Sequence, residues 1–280
     1  MTAPPTHHDN PTRPDDPPFP TIADLGPDLL RITPLQRLSS VLIPFACVAL
    51  YVAFAHYRLW PLAVLTLMYL SFATYGSISH DLVHRTLGLP RALNEIFLTT
   101  IELLAFRSGH AYRLAHLHHH ARFPHDDDIE GAAAKMSLLR TLLEGDIFQP
   151  RIMLWALKRH TRTHPIVVFE TLAVLTVLAA CFISLRWTPI FAVYATLMIM
   201  GSWIIPLVTS YIPHNPAGQT ALAQTRLFRG RVLSIIALEH LYHLEHHLYP
   251  AVPHHNWPKL AHRLDPYFKS ANIQPVVLGF

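Results

Sequence analysis

The stretch R113-L-A-H-L-H-H-H120 decides how this chain reads. His116, His119 and His120 stand at i, i+3 and i+4, so on a helix their imidazoles share one face. The spacing returns in H243-L-E-H-H247 with His243, His246 and His247, and His80 and His84, in H80-D-L-V-H84, lie one helical turn apart. Neutral imidazole suits iron, zinc and copper. Eight such ligands exceed the four of a tetrahedral zinc, so two metal ions are expected. One H-x-x-x-H arises easily by chance; three one-sided clusters in one chain are a far more specific signal.

The surroundings of these clusters are apolar. Of 280 residues, 51% are hydrophobic and 14% charged, against about 25% charged in ordinary soluble domains. The excess lies in four runs, Leu38 to Ala55, Trp60 to Ser79, Ile166 to Leu185 and Ile190 to Ile212. Each is long enough for a helix to cross a hydrocarbon core of about 30 Å at about 1.5 Å per residue. Short links at 56–59 and 186–189 pair them into two hairpins, each returning the chain to the side it left. Ala92 to Phe106 is also mostly apolar but holds Asn94, Glu95 and Glu102, which makes a full crossing costly and predicts a re-entrant or interfacial segment. The expected fold is all-α and integral to a membrane, with four transmembrane helices and a histidine-rich cytoplasmic cap from residues 80–163 and 214–280.

Charge gives the orientation. Of the 22 Lys and Arg, only Arg58 and Arg186 fall in the hairpin links; the other 20 lie on the histidine side, which the positive-inside rule makes cytoplasmic together with both termini. The formal charge of +4 is spread through loops beside apolar runs, so a membrane surface, and not nucleic acid, is the expected partner. Residues 1–35 read as a Pro-rich disordered tail followed by an interfacial segment at 21–35, with seven prolines in the first twenty positions. No secretory signal is expected from that composition, and residues 36–280 form the membrane domain. Cys47 and Cys181 lie inside apolar runs and read as packing residues.

Two other uses of such histidines fit less well. Bis-imidazole haem ligation uses one histidine from each of two helices and leaves the repeated H-x-x-H-H unexplained. Zinc hydrolysis wants a glutamate next to the first histidine, where this chain has Asp81. The motifs H80-D-L-V-H84, R113-x-x-H116-x-x-H119-H120 and H243-L-E-H246-H247, the last followed by L-Y-P-A-V-P, make the chain similar to the integral-membrane fatty acid desaturase and hydroxylase superfamily over roughly residues 60–265. That resemblance implies a non-haem diiron centre that uses O2 and two electrons to oxidise an unactivated lipid C–H bond. It also implies a further ligand after the last span, a place filled by His214.

The oxygens available around the imidazoles are those of Asp81, Asp127, Asp128, Glu130 and Glu245, expected to orient histidines through their second ring nitrogens. Asp81 is favoured because it lies inside a box. Arg113 is expected to reach a loop carboxylate such as Asp128. His118 falls about 100° off the ligand face, His110, His125 and His240 miss the box spacing, and His254, His255 and His262 carry no specific signal. No H-P-G-G, cysteine cluster or G-x-G-x-x-G is present, so a ferredoxin or cytochrome with its reductase must supply electrons from outside. The lipid is expected to be an acyl chain undergoing desaturation. Carotenoid ring oxidation is the alternative suggested by P213-H-N-P216, and a non-catalytic metal or haem protein is the alternative of another class.

Overall fold

A computed structural model describes residues 18–230 and 240–278. Expectations for the first seventeen residues lie outside it. The described residues are almost wholly helical, with one two-stranded parallel pairing of β1 (Phe228–Arg229) and β2 (Val276–Val277). Four helical stretches are long and apolar enough to cross a membrane, namely Pro27–His56, Trp60–His84, His164–Arg186 and Ile190–Tyr211. They contain the four runs read from the sequence and mark a membrane protein.

Local chemistry sets their ends. After a short α1 (Ile22–Leu25), Thr33 caps α2 (Pro34–His56) reciprocally with Gln36, and Pro34 at the first helical position is pre-set for the turn. Arg58, with φ 60°, turns the chain into α3 (Trp60–Ala73). A π-helical turn, Thr74–Ile78, then carries α3 into α4 (Ser79–His84), which ends at Arg85 in the left-handed region. On the outer faces Leu42, Phe45, Leu62, Leu65, Phe169 and Leu172 are exposed. Such a continuous apolar surface suits lipid and not water.

The segment Ala92 to Phe106 falls mostly in α5 (Arg91–Leu104), only 14 residues and therefore about 21 Å long. The chain reverses at Ala105 to Ser108 into the antiparallel α6 (Gly109–Arg122), capped by the Ser108 hydroxyl, which accepts from the Ala111 N–H. The expected re-entrant segment is thus one arm of a hairpin whose return arm carries the second histidine box. Its polar groups are satisfied internally. Asn94 donates to the Leu82 carbonyl at 2.9 Å, and buried Glu102 pairs with buried Arg107 at 2.8 Å. Glu170, inside the third span, accepts from the Ser108 hydroxyl, the His110 N–H and the His110 ring. That contact ties the hairpin to α8 (His164–Ile183) and takes His110 away from the histidine clusters.

Within the expected cap lies α7 (Leu138–Leu157), which has Leu138, Leu139, Leu143 and Leu154 exposed. Its Gly145 packs against the Trp203 backbone just beyond α9 (Ile190–Gly201), so closely that a Cβ would collide with the Trp203 carbonyl. Near the histidines, Tyr75, Leu82, Leu98, Tyr112 and Phe148 form one core, while Cys47, Tyr51, Leu70, Tyr194 and Met198 form another between the spans. Both cysteines are buried and free. Leu25 and Leu29 join Leu244, Leu248, Trp257 and Leu260 in a third core. Residues 22–30 are therefore packed on the C-terminal region instead of standing apart from residues 36–280.

Removing one partner of a buried ion pair strands the other charge. Glu102→Ala should lower stability by about 3–5 kcal/mol, while joint replacement of Glu102 and Arg107 by Leu should recover most of it. Thermal melting of the purified protein reads both; an unchanged melting temperature in Glu102→Ala would show that the pair carries no such load.

Candidate metal centre

Three elements deliver the imidazoles. α4 supplies His80 and His84, α6 supplies His116, His119 and His120, and, after the short α10 (Ala221–Gln224), α11 (His243–Leu248) supplies His243, His246 and His247. His214 follows a second π-helical turn, Leu207–Tyr211, at the end of the fourth span. The nine divide into two groups in which the ligand atoms lie within 4.8 Å of one another: His80, His84, His116, His120 and His246 in one, His119, His214, His243 and His247 in the other. Each group mixes boxes, because His119 on α6 points to the opposite group from His116 and His120.

The hydrogen bonds show what the rings present to each other. His119 Nδ1 lies 2.7 Å from Asp128, His116 Nδ1 3.1 Å from Glu130, and His214 Nδ1 3.0 Å from the Ser210 carbonyl. Carboxylates and carbonyls accept only, so in the neutral rings the proton sits on Nδ1 and Nε2 offers a lone pair. Yet the Nε2 atoms of His119 and His214 face each other at 3.1 Å. His80 and His246 meet likewise at 2.9 Å, and His246 and His120 at 2.8 Å. The buried His84 Nε2 has no hydrogen-bond partner among the described residues. A proton satisfies such rings two at a time, whereas a metal ion accepts from four or five together. The donor set fits two borderline-soft cations.

The electrostatics agree. Burial, reinforced by neighbouring His80 and His120, holds His246 well below the ordinary histidine range, so its ring stays neutral and able to ligate. Burial also pulls His119 down, but the Asp128 carboxylate outweighs it and leaves His119 raised. For Asp128 burial acts upward, and His119 with the Gly131 N–H brings it below its usual value.

Several expected contacts fall elsewhere. Asp81 serves His254: it accepts from the His254 N–H at 3.0 Å and meets His254 Nδ1 at 2.7 Å. Glu245 is fully buried but pairs with Arg229 at 2.6 Å, its side chain being turned to the other side of α11 from the imidazoles. Asp127 is 45% exposed and bonds Arg122 and His118. Arg113 pairs with Glu95, not Asp128, and donates to the carbonyls of Leu82 and Val83, fastening α6 to α4. Asp128 and Glu130 do meet imidazoles. His118 lies off both groups, packed near Trp155, and the His240 side chain lies outside the described residues. His254, given no signal by the sequence, joins the third-box region to the first, and Tyr75, whose hydroxyl donates to Glu130, was missed because nothing in its spacing marks it.

Four apolar spans with two buried imidazole groups at the end opposite the hairpin links define a membrane protein able to hold two metal ions. Sequence comparison makes the class specific: the model of the fatty acid desaturase family matches residues 55–275, and the protein belongs to that family. Membership implies an oxidoreductase. A search of curated proteins gives no match.

Elemental analysis of the purified protein should find two metal ions per chain. His246→Ala and His214→Ala should each lose the ion of their own group, whereas His118→Ala keeps both. Full metal content in His214→Ala, at unchanged affinity, would remove His214 from the ligand set.

Proposed function

We propose that the protein is an O2-dependent lipid oxidase that introduces a double bond into an acyl chain at a non-haem diiron centre. The observation that carries this reading is the pair of imidazole groups, nine rings of which seven are buried, at one end of four apolar helices. In the reaction, R–CH2–CH2–R′, O2, two electrons and two protons become R–CH=CH–R′ and two waters. Two iron ions held there would supply the oxidising power for an alkyl C–H bond that no side chain can attack. His80, His84, His116, His120 and His246 would hold one ion, and His119, His214, His243 and His247 the other.

The chain's own work is positioning and charge. Asp128 and Glu130 fix the tautomers of His119 and His116 and offset positive charge that neutral imidazoles leave uncompensated. Tyr75 holds Glu130 in place, and Trp257 packs edge-on against His80, 5.2 Å between ring centroids. The electrons come from a separate ferredoxin or cytochrome with its reductase. The metal site and both termini face the cytoplasm, with Arg58 and Arg186 on the opposite side, as the distribution of basic residues favours.

Expression with a matched reductase in a host making β-carotene tests the reaction. New double bonds in fatty acids with unaltered pigment are expected; oxidised pigment with unaltered fatty acids would replace acyl desaturation by carotenoid ring oxidation. Alanine at any of the eight box histidines should abolish turnover, and Asp128→Asn or Glu130→Gln should lower it about 10–100-fold. Thiol labelling from outside the cell should reach a cysteine placed at 58 or 186 and not one placed at 135. Labelling at 135 would overturn the orientation.

A further inference from the structure

The stretch D146-I-F-Q-P-R-I-M153 puts Asp146, Gln149 and Met153 on one face of α7, at i, i+3 and i+7. That face borders a cavity of about 220 Å3 closed by the tip of the α5–α6 hairpin and the middles of α8 and α9. None of its lining residues lines the cavity beside the imidazoles. Most of the wall is apolar, as at Phe106, Met153, Val174, Leu178 and Ile199. Pro150 and Leu175 on its rim are exposed on the apolar flank of the molecule, so the mouth opens to lipid. Val174 stands ten residues after His164, the first residue of α8. That is about 15 Å of helix, half of a hydrocarbon core of about 30 Å.

Into this apolar wall are set polar groups whose hydrogen bonds are not made within the chain. Arg107 is 1% exposed; its Nη2 donates to Thr74 and Glu102 and its Nε faces Glu102, which leaves Nη1 without an acceptor among the described residues. Gln149 is 8% exposed, and its Nε2 likewise has no acceptor among them. Buried N–H groups rarely go unpaired, because each gives up a hydrogen bond that water would have made. Asp146 lines the same cavity and has no ion pair among the described residues. A carboxylate in apolar surroundings needs a donor. Pro150 has no N–H to give the Asp146 carbonyl four residues before it, so the acceptor side of the cavity is stronger still. Two N–H donors and an acceptor thus share one small space at mid-depth.

We propose that this cavity is a binding site for an uncharged lipid hydroxyl carried part-way along an acyl chain. A hydroxyl has two lone pairs and one hydrogen; it accepts from Arg107 Nη1 and Gln149 Nε2 and donates to Asp146, which satisfies all three. A carboxylate or phosphate brings no hydrogen, and since Glu102 already balances Arg107, Asp146 repels it. A plain hydrocarbon leaves both N–H groups bare. The volume is below the range of about 300–1,000 Å3 usual for whole small molecules, so the cavity takes the hydroxyl and the few carbons beside it. The rest of the chain stays in the bilayer along exposed Leu154 and Leu175. This site is separate from the metal centre and does not depend on the acyl reading of that centre.

The test uses the full-length protein in phosphatidylcholine nanodiscs and a photoreactive methyl hydroxystearate, its diazirine on the carbon next to a mid-chain alcohol, beside the same probe without the hydroxyl. Cross-links mapped by mass spectrometry are expected at residues 146–153 and 174–178 with the hydroxylated probe alone. Excess methyl hydroxystearate should displace it, and methyl stearate or stearic acid should not. Gln149→Leu removes an unpaired donor and should keep the wild-type melting temperature while cross-linking falls about tenfold. Asp146→Ala, at an exposed position, should lose as much, and Leu172→Ala on the outward face of α8 should label as the wild type. Equal labelling by both probes, displacement by methyl stearate, or undiminished labelling in both Gln149→Leu and Asp146→Ala would overturn the site, as would cross-links confined to the histidine cavity. Photolabelling needs neither metal nor turnover, so a protein that oxidises no lipid but labels here keeps the site and loses only the oxidation.

Discussion

Nine imidazoles turn their lone pairs toward two points inside a buried volume, and the rest of the molecule is arranged to keep them there. Facing lone pairs at about 3 Å repel and burial denies them water, whereas a cation in each group would accept from all of them together. The fold makes it possible by bringing together short helical ends as distant in sequence as His80 and His246, 166 residues apart. His119, His116 and His214 are held from behind by Asp128, Glu130 and the Ser210 carbonyl, which turns their Nε2 atoms inward.

Rigidity around the centre comes from polar groups that are costly unless paired. The α5–α6 hairpin carries Asn94, Glu102, Arg107 and His110 into apolar surroundings; Glu102 pairs with Arg107, and Asn94, Arg107 and His110 reach Leu82, Thr74 and Glu170 on neighbouring elements. Arg113 adds two bonds to the carbonyls at the end of α4. Asp81 reaches 173 residues along the chain to His254, locking the first box to the segment after the third. These pairs act as a frame: each is satisfied in only one arrangement of the helices, and that arrangement sets the imidazoles.

The spans that deliver histidines share a local feature. The second and fourth both lose regular α-helical winding just before a histidine, and residues of both π turns, Tyr75, Val208 and Thr209, line one small apolar chamber.

The sequence by itself determined the spans, the two hairpins and the histidines, because these depend on local quantities: the length of an apolar run, and a spacing of three or four residues that puts side chains on one helical face. It also marked Ala92 to Phe106 as shorter and more polar than the four spans. What it did not determine was which histidines share a group, since that depends on the angle at which α4, α6 and α11 meet, and His119 parts from its neighbours on that account alone. The carboxylates show the limit most clearly. Glu245 lies between ligands in sequence, yet its side chain leaves the opposite side of the helix and finds Arg229, whereas Asp128 and Glu130, on a loop with no periodicity, meet the imidazoles. Ligand spacing is written along one helix; the partners of the ligands come from wherever the chain folds back, and only the tertiary structure decides that.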